Sequence, residues 1–340
     1  MMDPLKHLQL VKARAAGAAP RKGDLARITA LRDTLPGFDR AVWREICEKG
    51  WLALRVAKTA GGAGRGAHRF CRVAEQLGTE LAPEPLMTAA MAAQLLPQEL
   101  LAPVLAGERI ILPAWQEGPN SLDPIGETTL RNGKVSGRKL CIPMAAGADA
   151  FLVTVPGGLA LGEHDGPGVS LEIRQTPDGG NIGTLILDQA PAATIDGDAT
   201  EALEHTIIAT AAYLLGVMDG ALNRTLDYLK THEPPHAEKA WQHSNDMQVQ
   251  VSLTRAAVTS GVEALDADTT LAQRQSAVSR AKLRAADSGI VVTRACSQMQ
   301  TGAGYALSNE IALFLTKATV LAPWYGSSRV HRARWRPVAA

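Results

Sequence analysis

The 340-residue sequence predicts a mainly α-helical chain with a central β domain. Three observations predict it. Apolar residues recur at helical spacing before about residue 105 and again from about residue 201. Between these regions, short β-rich runs alternate with turn signals. In the last third, four long helical patterns follow one another, as in an antiparallel bundle. The expected order is an N-terminal helical domain over 1–105, a middle β-barrel-like domain over 106–198 and a C-terminal four-helix bundle over 199–340.

The first expected helix follows Asp39 and places Val42, Ile46 and Cys47 on one face, with Gly50 as its stop. Gly61-Gly62-Ala63-Gly64-Arg65-Gly66 reads as a loop. As a phosphate cradle it lacks a preceding strand and the Lys-Ser/Thr pair of a P-loop. A second helix spans roughly Ala67 to Leu77 and ends at Gly78, and Pro83-Glu84-Pro85 breaks the chain before a helix containing Met87 to Leu96. The strand candidates are Ile110–Leu112, Phe151–Val155, Gly168–Ile173 and Thr184–Leu187. Asn132-Gly133, Pro156-Gly157-Gly158 and Pro177-Asp178-Gly179-Gly180 supply the turns. Ile207, Ile208, Ala211, Ala212, Leu215, Met218 and Leu222 then mark the first bundle helix, and Val249, Leu253, Ala256 and Ala257 the second. The third runs from about Ala272 to Met299 and the fourth from about Asn309 to Leu321. The first is apolar around its whole axis, which calls for partners on several sides and so for an oligomer.

Hydrophobic residues make up 46% and charged residues 20%, as in a folded globular protein. A net charge of +1 gives no general pull toward nucleic acid or an anionic membrane. Apolar runs such as Ala211–Met218 stop short of a bilayer span. No apolar segment follows the basic N-terminal residues Lys6, Lys12 and Arg14, so no signal peptide is expected. The four cysteines have no CxxC spacing and read as reduced, mostly core thiols of a cytoplasmic protein. His232, His236 and His243 have metal-like spacing, but Pro234 and Pro235 interrupt any helix there, so surface histidines and no metal are expected. The basic run Arg329 to Arg336 reads as a solvated tail or subunit contact, or as a grip for a phosphate-rich ligand. Glu201 and Glu204 complement a helix N-terminus, or one of them is a general base.

Three stretches carry a family resemblance. Trp43-x6-Gly50-Trp51-Leu52-Ala53-Leu54, Gly61-Gly62-x-Gly64 and Glu75-Gln76-Leu77-Gly78-x-Glu80-Leu81-Ala82-Pro83 form the first. Gly137-Arg138-Lys139 with Gly147-Ala148-Asp149-Ala150 forms the second. The third is Gln298-Met299-Gln300-Thr301-Gly302-Ala303-Gly304-Tyr305, similar to Q-x-H-G-G-x-G-[YF]. In this order they resemble the acyl-CoA dehydrogenase family, over most of the chain.

The resemblance implies the same helix–β–bundle order, FAD as cofactor, an acyl-CoA thioester as substrate, and a homo- or hetero-oligomer of homologous subunits with each flavin across an interface. In such enzymes a carboxylate removes the α proton and the β hydrogen leaves as hydride to the flavin. Carried onto this sequence, the flavin contacts fall at Gln116 and Glu117 (a T-E pair), at Cys141 and Pro143 (the Trp and Thr of W-x-T), at His232 (the Arg of R-x-Q-F-G), and at Gln298 and Gly302. The usual base, the Glu of E-G-T, falls at Tyr325, whose ordinary pKa of about 10 makes it a poor proton acceptor at neutral pH. The alternative base position on the first bundle helix falls at Thr206, with Glu204 and then Glu201 the nearest carboxylates. Glu204 is about 200° around the helix from Thr206. The resemblance thus implies either a dehydrogenase with its own site or a non-catalytic, flavin-supporting subunit of a heteromeric one.

Overall fold

The computed structural model describes residues 25–64, 66–119, 121–232, 237–300 and 310–335. The helices are α1 (Ala26–Leu31), α2 (Arg40–Glu48), α3 (Ala67–Thr79), α4 (Leu86–Ala93) and α5 (Gln98–Leu105), then after the strands α6 (Thr200–His232), α7 (Ala237–Asp266), α8 (Leu271–Met299), α9 (Glu310–Leu321) and α10 (Ser328–Trp335). The strands are β1 (Ile111–Ala114), β2 (Thr129–Arg131), β3 (Lys134–Pro143), β4 (Ala150–Val155), β5 (Gly158–Glu163), β6 (Val169–Gln175), β7 (Asn181–Pro191) and β8 (Ala193–Ile195). The predicted order of helices, sheets and long helices is the observed one. Two compact units are built from it: residues 29–66 with 83–206, and 1–28 with 67–82 and 207–340.

In the first unit, the strands form two four-stranded sheets, ordered β1-β4-β5-β8 and β2-β3-β7-β6. Asn132-Gly133 is the two-residue loop of the β2–β3 hairpin, with both residues at positive φ, and Arg131 pairs with Lys134 across it. Pro156-Gly157 does the same for β4 and β5, so Gly158, expected in the turn, instead opens a strand paired with Val155. The runs now in β3 and β5 were not among the strand candidates, because Gly137 and Gly162 dilute the β-branched signal. Asp39 caps α2 by accepting from the Ala41 amide at 2.7 Å, and Gly50 ends it at φ +72°. Arg40 reaches Asp149 at 2.7 Å, and Asp149 also accepts from the Ile110 amide at 2.8 Å. The Ala148-Asp149-Ala150 signature is therefore a brace joining α2 to the starts of β1 and β4.

The second unit is helical. Ile207, Leu214, Leu215, Val217 and Met218 are almost fully buried, each contributing roughly 1.5–3 kcal/mol by leaving water. Gly78 does not stop α3; it lies inside it, where a Cβ would stand 2.0 Å from the Tyr213 carbonyl oxygen. Gly216 answers it on α6, where a Cβ would stand 1.8 Å from the Glu75 carbonyl oxygen. These glycines are contact points between two backbones. Arg255 on α7 joins Glu75 on α3 to Asp219 on α6. Thr270 and Gln273 form a reciprocal capping box at the start of α8.

Two expectations change here. The all-round apolarity of α6 is satisfied within the chain, so it does not itself call for an oligomer. Among the outward apolar residues, Trp241, Val249 and Leu253 share α7, the last two over half exposed, and Val291 on α8 is as open. The expectation that no segment is long enough for a bilayer also changes: α6 is long and apolar enough by length and composition, although 94% of its most apolar window is buried inside the chain.

Candidate functional site

At the N-terminal end of α6, Glu204, His205 and Thr206 are buried and Glu201 is exposed. A guanidinium only donates, so the 2.6 Å contact between Arg55 and His205 Nε2 fixes that nitrogen as acceptor and the ring as neutral, with its proton on Nδ1. The 3.5 Å approach of Glu201 Oε1 to the same nitrogen is then not a hydrogen bond. Thr206 returns its hydroxyl to the Ala202 carbonyl at 2.8 Å. Of the two candidate carboxylates, Glu204 is the one held away from water, at 2% exposure.

In the sheet region, Gln116 donates its side-chain amide to the Gly118 carbonyl at 2.9 Å. Glu117 is committed on both oxygens. Oε1 takes Lys139 Nζ at 2.6 Å and the Thr128 amide at 3.1 Å, and Oε2 takes the Glu127 amide at 2.5 Å. Burial works to raise the Glu117 pKa, but these hydrogen bonds prevail and hold it at about 2. Lys139 is fully buried, also touches Thr154 Oγ1 at 3.0 Å, and has its pKa lowered by that burial against the pull of Glu117. Cys141 sits at φ +54° in an irregularity of β3, with its side chain exposed and its thiol pKa raised by burial of the sulfur's surroundings. Pro143 closes the same strand, buried.

In the bundle unit, His232 ends α6 exposed, its ring stacked on Tyr228 at 4.3 Å. Gln298 is exposed on the last turn of α8. Next to it, Gln300 reaches Thr225 at 3.3 Å and ties the end of α8 to α6. Gly302, His236 and the Pro234-Pro235 step lie outside the described residues. Tyr325 is buried at φ +55° in the turn between α9 and α10. The basic run that begins at Arg329 is not a tail: as far as Trp335 it lies in α10, which buries His331. Sequence reasoning also missed a polar cleft of about 640 Å³. It is lined by Asn223, Arg224, Lys230, Glu80, Asp227 and Glu310. Arg224 lies between Glu80 at 3.4 Å and Glu310 at 3.6 Å, over the Phe314 ring at 5.0 Å. Its residues come from separate segments with no local motif. Among the described residues no His/Cys/Asp/Glu group is arranged to hold a metal.

The family model for the acyl-CoA dehydrogenase C-terminal domain matches residues 197–336, and that for the N-terminal domain matches residues 22–100. The chain belongs to the acyl-CoA dehydrogenase family. It is 26% identical over 215 residues to acyl-CoA dehydrogenase FadE27 of Mycobacterium tuberculosis, covering 58% of this chain and 57% of that protein. It is 27% identical to FadE34 of the same organism, where the match takes in 96% of this chain but 46% of that protein. The chain thus spans only about half the length of these curated relatives. Among solved structures it resembles the Tcur3481–Tcur3483 steroid ACAD, at 25% identity and a TM-score of 0.86, covering 97% of this chain and 96% of that one. The acyl-CoA dehydrogenase fold is therefore present along nearly all of this chain.

Proposed function

We propose that this chain is a subunit of a heteromeric, FAD-dependent acyl-CoA dehydrogenase, which dehydrogenates an acyl-CoA thioester between its α and β carbons. In this reading it supports a flavin held mainly by a longer homologous partner. The observation that carries it is the state of the sheet-region flavin positions. Glu117 and Gln116 are bonded within the chain, and Cys141 and Pro143 replace the Trp and Thr of W-x-T. These side chains do not fit a flavin of their own, and Tyr325 replaces the usual base. The bundle side fits better. Gln298 is exposed with donor and acceptor groups, and Glu310 of the polar cleft lies five residues beyond Tyr305 in the sequence. We assign that surface, with Gly302, to the partner's flavin. The match to less than half of FadE34 supports a two-part assembly, as does the likeness to the Tcur3481–Tcur3483 pair. The outward α7 residues supply apolar surface for assembly, and the four free thiols, three of them buried, support a cytoplasmic setting.

Purification alone and with a longer homologue tests this. The isolated chain is expected to be colourless and the complex yellow, with Gln298→Ala reducing flavin retention in the complex. An isolated chain that holds one flavin and bleaches on adding acyl-CoA refutes the supporting role. One observation favours a second reading, a competent site: Glu204, the carboxylate nearest the alternative base position, is buried at 2% exposure. If the isolated chain does reduce its flavin, Glu204→Gln should abolish reduction; equal rates in variant and wild type remove Glu204 from the chemistry.

A further inference from the structure

α8 turns two polar side chains, Ser279 and Lys282, toward the turn between α9 and α10. Both are fully buried. Lys282 Nζ donates to the Ala322 carbonyl at 2.7 Å, its one hydrogen-bond acceptor among the described residues. His331 of α10, also fully buried, donates from Nε2 to the Tyr325 carbonyl at 2.9 Å. Its Nδ1 lies 3.2 Å from Ser279 Oγ and, with the proton on Nε2, accepts from it. The turn so held contains Tyr325 at φ +55° and Gly326 at φ +105°. A non-glycine residue there costs about a kcal/mol or more and persists only when its surroundings impose it. Two side-chain contacts to main-chain carbonyls are what impose it.

We propose that Lys282 is a proton-operated latch on the α9–α10 turn: its neutral amine holds the turn through the Ala322 carbonyl, and its ammonium form releases the turn together with α10. An ammonium carries three N–H groups into a site where the described residues offer one acceptor, and two N–H groups are left over in a buried setting. A neutral amine removes the buried charge and one of those N–H groups while keeping the bond to Ala322. The charges around it shape the response. Asp287 on α8 draws a proton toward Lys282, while the basic groups of the elements packed on α8 include His331 and Arg334 on α10 and the buried Lys317 on α9. Burial outweighs Asp287 and brings the Lys282 pKa down to about 7. His331, pushed down to about 3 by burial and by Lys282, stays neutral through that range. Asp287 also holds the first turn of α10, accepting from Ser328 Oγ at 2.6 Å and from Arg332 at 3.4 Å. The latch does not depend on whether this chain or a partner holds the flavin.

Hydrogen exchange on the full chain tests the latch, comparing residues 323–331 at about pH 6 and about pH 8.5 after correction for intrinsic exchange. A midpoint of about 7 gives a roughly 30-fold larger protonated fraction at the lower pH, and opening should rise by up to that factor. Lys282→Met should remove the difference, whereas His331→Gln should keep it. Equal opening at both pH values in the wild type overturns the latch, as does a pH response that survives in Lys282→Met. Should Lys282→Met not fold, the wild-type lysine ε-methylene resonance decides. A Lys282 midpoint within about one unit of pH 7 supports the latch, and any midpoint above that range overturns it.

Discussion

Gly216→Ala should destabilise the chain even though alanine is the better helix former. Built at Gly216, a Cβ lies 1.8 Å from the Glu75 carbonyl oxygen and 2.9 Å from the Thr79 amide. Both are main-chain atoms in the last turn of α3, so no rotamer change relieves the clash. The two helix backbones must part by more than an ångström, opening the seam where a Cβ on Gly78 would likewise stand 2.0 Å from the Tyr213 carbonyl oxygen. The helix-propensity gain is about 1 kcal/mol. Overpacking costs typically about 1–3 kcal/mol, and a rigid backbone-to-backbone clash belongs at or beyond the upper end. The net expectation is a loss of about 2 kcal/mol, read from urea unfolding. Gly289→Ala on α8 is the internal control. Its Cβ would meet nothing nearer than Leu214 Cδ2 at 3.7 Å, an ordinary contact, so it should stabilise by about 0.5–1 kcal/mol. The double variant Gly78→Ala/Gly216→Ala should cost less than the sum of the singles, because the first already separates the helices. A Gly216→Ala protein as stable as wild type would falsify the close-packing account of this seam.

Glu117→Gln should cost about 3 kcal/mol near neutral pH, because it leaves Lys139 as a buried charge without its carboxylate. The Glu117 pKa is depressed from 4.5 to about 2, so its contribution is full above the unfolded value and fades as pH falls through about 2. Wild type and variant should therefore converge in acid unfolding, and a constant gap would count against the pair. His331 shifts the other kind of group: a base with a pKa of about 3 takes up a proton on unfolding between pH 3 and 6.5, so stability rises with pH across that window. His331→Gln should flatten that slope. On α7, Val249→Glu with Leu253→Lys should leave unfolding within about 0.5 kcal/mol, since both positions face out, yet lower the assembled mass in light scattering. Unchanged assembly would place the interface elsewhere.

The sequence by itself determined the element types and their order. Asp39 and Gly50 bound α2, Asn132-Gly133 makes its hairpin, and 3.6-residue apolar spacing marks α6, because these signals act within a few residues. It also determined the family, through motifs whose order survives divergence. Partnership between distant segments was not legible. Gly78 looks like a helix stop until Gly216 stands opposite it, since a glycine's role depends on what approaches its missing Cβ. The period of Val249 and Leu253 gives a helix face but not the direction in which that face looks. Likewise Glu117 reads as a ligand contact until Lys139, 22 residues away, takes its oxygen, and nothing local in the sequence marks Lys282 as buried against Ala322. Burial and charge pairing are sums over neighbours that the chain brings together only on folding, and they decided the chemistry of these side chains.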